Sequence, residues 1–96
     1  MHELNQKLRA IQKGLSYEER VRLGIALMVL GELGSDKFYQ KKETVMRPLI
    51  KAGIVRPIPV RWQKEEGWYE PASLEIRNLL VRGTINKMDG YFSLPE

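Results

Sequence analysis

Apolar residues recur at helical spacing over the first third of the chain. Leu4, Leu8, Ile11 and Leu15 stand at i, i+4, i+7 and i+11, one stripe of an amphipathic helix that Gly14 ends. The following "SYEE" places Ser16 at an N-cap with Glu19 three residues on, a capping box in which each side chain satisfies an amide at the helix start. Beyond it, "RVRLGIALMVLGELG" is apolar nearly all round. Residues 21–33 are therefore predicted to form the central helix, wrapped by the others and best protected, with Leu27 and Met28 in the core. Gly31 and Gly34 are expected to stop it. Gly24, inside it, lowers helix stability by about 1 kcal/mol relative to alanine and so points to close approach of another element.

The pattern then becomes irregular. "SDKFYQKKE" fits a short helix capped by Ser35 or a loop, with Phe38 and Tyr39 as its anchors. Val45, Met46, Leu49, Ile50 and Ala52 restore helical spacing up to Gly53. With Thr44 as N-cap, Pro48 falls near the first turn, where amides are largely unpaired. "IVRPIPVRW" alternates, with Ile58, Val60 and Trp62 on one face, and Pro57 and Pro59 confine such a strand to a sheet edge. "QKEEG" is a polar turn and "WYE" a return strand, making a hairpin with a charged tip. Pro71 suits the first position of a helix carrying Leu74, Ile76, Leu79 and Leu80 to Gly83, although "LEIRN" also alternates as a strand does. Asp89-Gly90 has the form of a two-residue hairpin turn opposing Met88 to Tyr91. The sum is one α+β domain over residues 1–96, mainly helical, with a β-hairpin.

Composition narrows the class. With 43 % hydrophobic and 29 % charged residues the chain reads as an ordinary globular domain, and without cysteine it has no disulfide framework and no thiolate ligand or nucleophile. The most apolar run is broken by Arg22 and Glu32 and is shorter than the roughly 20 residues of a membrane span. The N-terminus lacks a basic region followed by an apolar stretch, so a cytoplasmic location is expected. Charge is uneven. Residues 1–36 balance, and residues 65–96 carry six acidic against three basic groups. Residues 37–64 hold eight basic residues against Glu43 alone. A segment so one-sided suits a polyanionic partner, although a solvated face would look the same in sequence.

An apolar helix, a possible short helix, a helix ending "LIKAGIV" and the hairpin "VRPIPVRWQKEEGWYE" follow one another over residues 16–70. This order resembles a winged helix-turn-helix domain, with "WYEP" as the second strand of the wing running into a dimerisation-type helix. The resemblance implies binding of double-stranded DNA, a recognition helix in the major groove and the hairpin on the flanking backbone. It also implies a transcriptional or mobile-element regulator, with a homodimer formed through the helix after Pro71.

On those elements Arg47 and Lys51, four apart, share a helix face and are candidates for base and phosphate contacts. Lys41 and Lys42 precede them as phosphate contacts, and Arg56, Arg61 and Lys64 supply the hairpin's. Trp62, Trp68 and Tyr69 are candidates for stacking on bases or for anchoring the hairpin to the core. In a second reading, of a small inhibitor or adaptor, these three aromatics are the hot spot for an acidic protein surface. No catalytic residue, cofactor or metal is expected. His2 is the lone histidine, and the adjacent Glu65 and Glu66 do not make an acid–base pair.

Overall fold

The computed structural model describes residues 2–37, 42–62 and 66–95. The first stripe forms helix α1 (His2–Lys13), with Leu8 fully buried and Leu4, Ile11 and Leu15 packed against the core. Helix α2 (Tyr17–Leu33) begins at the capping box: the Glu19 amide donates to Ser16 Oγ at 3.2 Å and the Ser16 amide to the Glu19 carboxylate at 2.9 Å. The Ser16 amide first, and the Ser16 hydroxyl beside the carboxylate next, hold the Glu19 carboxyl below its ordinary range, with the Arg22 charge adding to them. The helix stops at Gly34, in the left-handed conformation at φ 81°. Gly31 is not part of the stop. It is a buried helical position where a Cβ would lie 2.8 Å from the Val81 amide nitrogen.

Gly24 marks a second close approach, since a Cβ there would meet Ile85 at 2.7 Å. Leu23, Ala26, Leu27 and Leu30 are buried as their spacing requires. The helix is nevertheless not wrapped on all sides. Met28, expected in the core, is 40 % exposed, and Ile25 and Leu33 are 53 % and 71 % exposed. The neighbouring elements reach only part of its circumference, because a 17-residue helix in so short a chain has too few partners to cover every face.

Three strands form an antiparallel sheet in the order β1-β3-β2: β1 (Asp36–Lys37), β2 (Val55–Pro57) and β3 (Trp68–Pro71). Asp36 pairs with Tyr69, and Val55, Arg56 and Pro57 pair with Pro71, Glu70 and Tyr69. Phe38 and Tyr39 lie outside the described residues. Helix α3 (Glu43–Lys51) begins two residues earlier than a Thr44 N-cap predicts, with Lys42 at its N-cap, which makes no side-chain cap bond. Pro48 is thereby the sixth helical residue, in the second turn, and the Thr44 carbonyl is left without its intrahelical donor. The helix survives because Val45, Met46 and Leu49 are all buried. Its end explains "LIKAGIV": the Ile54 amide donates to Leu49 O and the Gly53 amide to Ile50 O, both at 3.0 Å, with Gly53 at φ 77°. This Schellman stop buries Leu49 and Ile54 together and turns the chain into β2.

The alternation expected through Trp62 is not a strand. The ladder gains one further bond, from the Ile58 amide to Trp68 O at 2.9 Å. After Pro59 the chain coils into a 3-10 turn (Val60–Trp62), in which the Trp62 amide bonds Pro59 O at 3.0 Å. Two prolines two apart remove the donors that a longer strand would need. β2 lies on the sheet edge, as its prolines predict.

Pro71 ends β3 and does not start a helix. Ser73 is the cap, its Oγ accepting the Ile76 amide at 3.1 Å, and helix α4 (Leu74–Leu80) resolves the helix-or-strand ambiguity of "LEIRN". α4 lies against α2, and the Arg77 guanidinium donates to the Gly31 and Glu32 carbonyls at 3.1 and 3.3 Å, occupying acceptors at the C-terminal end of α2.

The last hairpin pairs β4 (Thr84–Ile85) with β5 (Phe92–Ser93). Its loop is wider than a two-residue Asp89-Gly90 turn. The Asn86 amide bonds Tyr91 O and the Gly90 amide bonds Asn86 O, both at 2.8 Å. Asn86 and Asp89 cause this by accepting the Met88 and Tyr91 amides two residues on, at 2.7 and 2.9 Å. The outer edge of β5 is closed by side chains of α1. Gln12, fully buried, accepts the Phe92 amide at 2.7 Å and donates to Phe92 O at 2.9 Å, while Asn5 exchanges two 2.9 Å bonds with the backbone of Leu94. No described helix is long and apolar enough to cross a membrane.

Candidate nucleic-acid interface

Helix α3 has two opposed faces. Val45, Met46 and Leu49 go into the core, while Thr44, Arg47 and Lys51 are exposed. Arg47 is held by Glu43 one turn before it, at 2.7 Å, the i,i+4 pairing that the sequence spacing allows. Lys51, in the last turn, has no ion pair among the described residues. Lys42 is bound to Asp36 of β1, and both side chains are largely covered. Lys41 and Lys64 lie outside the described residues.

On the hairpin, Arg56 reaches across the strand pair to Glu70 at 2.9 Å, its direct partner in the β2-β3 register. The Arg61 guanidinium lies over the Trp62 ring, 4.8 Å from its centroid. Trp62 is 65 % exposed and, with Arg56, Pro57, Pro59 and Glu70, lines a shallow groove on the outer side of the hairpin. Tyr69 turns the other way and packs against the core, and its strand neighbour Trp68 is half-buried on the opposite face. The three aromatics therefore do not form one platform; Trp62 alone of them is largely open to solvent.

Comparison with known proteins returned no matching family model, no matching curated protein and no matching solved structure.

The charge of the middle segment is consequently partly spent within the fold. Lys42, Arg47 and Arg56 each hold a carboxylate, and two of those carboxylates, Asp36 and Glu70, lie outside the segment whose charge is so one-sided. A count confined to that segment misses them: Asp36 lies just before it, six residues from Lys42, and Glu70 is brought to Arg56 by the β2-β3 pairing. The pairs of Arg47 and Arg56 are exposed, and such pairs are worth about 0–1 kcal/mol. Pairs this weak do not lock either arginine away from another anionic partner. Among the described residues no group of acidic or histidine side chains is placed to hold a metal.

Proposed function

We propose that this chain is a duplex-DNA-binding module, with Arg47 and Lys51 of α3 directed at the groove and Arg56 and Arg61 of the hairpin at the flanking phosphates. The observation that carries this reading is the division of α3: a short helix fixed by three buried side chains presents a guanidinium and an ammonium on its solvent face. A rigid helix with basic residues outward is what major-groove reading requires, and a basic hairpin next in sequence is suited to holding its register. A cytoplasmic regulator of transcription or of a mobile element is the role this chemistry would serve. Lys41 and Lys64 extend the same basic set in sequence.

The exposed Trp62 favours a second reading, docking of the hairpin on an acidic protein surface, with the indole as anchor and Arg61 beside it. Fluorescence anisotropy separates the two. On a labelled duplex of unrelated sequence at physiological salt, the wild-type chain is expected to bind in the range of about 1 to 100 µM typical of non-specific contacts, and Trp62→Ala to change this by less than about threefold. No duplex binding by the wild-type chain, with circular dichroism showing it folded, would favour docking of the hairpin on an acidic protein instead.

A further inference from the structure

The face of α2 that no other described element covers is amphipathic in an ordered way. Ile25, Met28, Val29, Glu32 and Leu33 line a groove along it, and the apolar members fall at the i, i+3, i+4 and i+8 spacing of a helix-packing seam. Arg22 stands at the N-terminal end of this seam and Glu32 at the C-terminal end, ten residues and about 15 Å apart along the axis. Neither side chain has an ion pair among the described residues. The seam is thus apolar in the middle, positive at one end and negative at the other.

We propose that this face pairs with the same face of a second copy of the chain, α2 against α2 in antiparallel orientation about a two-fold axis near residue 27. A two-fold contact uses one patch twice, so the patch must complement itself when reversed. Reversal about residue 27 sets Ile25 opposite Val29, keeps Met28 near its own symmetry mate, and brings Arg22 of each copy to Glu32 of the other. Glu18 then projects past the end of the opposing helix at Leu33, clear of the pairing. A parallel pairing would instead oppose Arg22 to Arg22 and Glu32 to Glu32. The charges therefore select both the partner and its direction. This interface is distinct from one through α4, which is held against α2 within the chain.

Sedimentation equilibrium without DNA tests the pairing independently of the DNA-binding reading. The wild-type chain is expected to dimerise at micromolar to submillimolar concentration, and Ile25→Glu, at an exposed position, to weaken the dimer by more than about tenfold with circular dichroism unchanged. Arg22→Glu and Glu32→Arg should each weaken it by at least about threefold. The double variant, which restores opposite charges across the axis, should return to within about threefold of wild type. A wild-type chain that stays monomeric at several hundred micromolar overturns the proposal, as does a double variant no better than the two single ones.

Discussion

Gln12→Ala should cost the fold about 3 to 5 kcal/mol, measured as a lower urea midpoint, a large share of the stability of a domain this size. The side chain is fully buried and makes three bonds: it accepts the Phe92 amide and donates to Phe92 O and Leu8 O. Removing it strands a buried N–H and a buried C=O on β5, each costing about 1–3 kcal/mol when unpaired, and leaves a cavity under α1. Gln12→Glu sharpens the test. An ionised carboxylate still accepts the Phe92 amide but cannot donate to Phe92 O, and its burial raises the native pKa. The native state of that variant then binds more protons than the unfolded chain. Its deficit should be largest at neutral pH and shrink as pH falls through the raised pKa. A Gln12→Ala loss under about 1 kcal/mol would mean that water replaces the amide and that α1 is not what closes the β5 edge.

The second large effect concerns binding. The double variant Arg47→Ala, Lys51→Ala should weaken duplex binding by about 1.5 to 4 kcal/mol, on the order of 10- to 1,000-fold, with the urea midpoint nearly unchanged because both side chains are exposed. The two differ in kind. Loss of the Arg47 guanidinium should relax preference at one base position, whereas loss of Lys51 should weaken all sequences alike. Competition between specific and scrambled duplexes, with fluorescence anisotropy as readout, separates them. An unchanged affinity would leave α3 a structural helix only.

The parts legible in sequence were those fixed by local rules. The α1 stripe, the Ser16–Glu19 capping box, the close approach at Gly24 and the edge position of the proline-bearing strand depend on spacing within a few residues, and all stand in the fold. The errors arise where two local signals compete. Thr44 is a better N-cap than Lys42 on propensity, yet the helix starts at Glu43, and Ser73 displaces Pro71 as the start of α4 because its hydroxyl caps an amide that proline cannot. Asn86 and Asp89 widen a turn that Asp-Gly alone would keep tight. Gln12 was out of reach for another reason. A glutamine beside Leu8, Ile11 and Leu15 reads as the polar rim of a helix, and only the arrival of β5 from the other end of the chain makes it a core residue.

The candidate site shows the same division. The shared face of Arg47 and Lys51 follows from their spacing, and so does the Glu43 pairing. That Glu70 neutralises Arg56 follows from strand register, which no short window of the sequence contains, whereas Asp36 of β1 meets Lys42, six residues on, at the N-cap of α3. "LIKAGIV", the phrase that most suggests a winged helix, is accounted for by the stop of α3 and its passage into β2, so it carries fold information and little about the ligand.

The salt dependence of duplex binding bears most directly on the claim that this basic surface grips phosphate. Each phosphate contact releases condensed counterion and contributes about −0.9 to the slope of log K against log salt. Three to five contacts from α3 and the hairpin predict a slope of about −2.7 to −4.5 between 50 and 200 mM salt, made shallower by about one unit in Arg61→Ala. A slope near zero, or no binding to duplex at the lowest salt, would contradict the account.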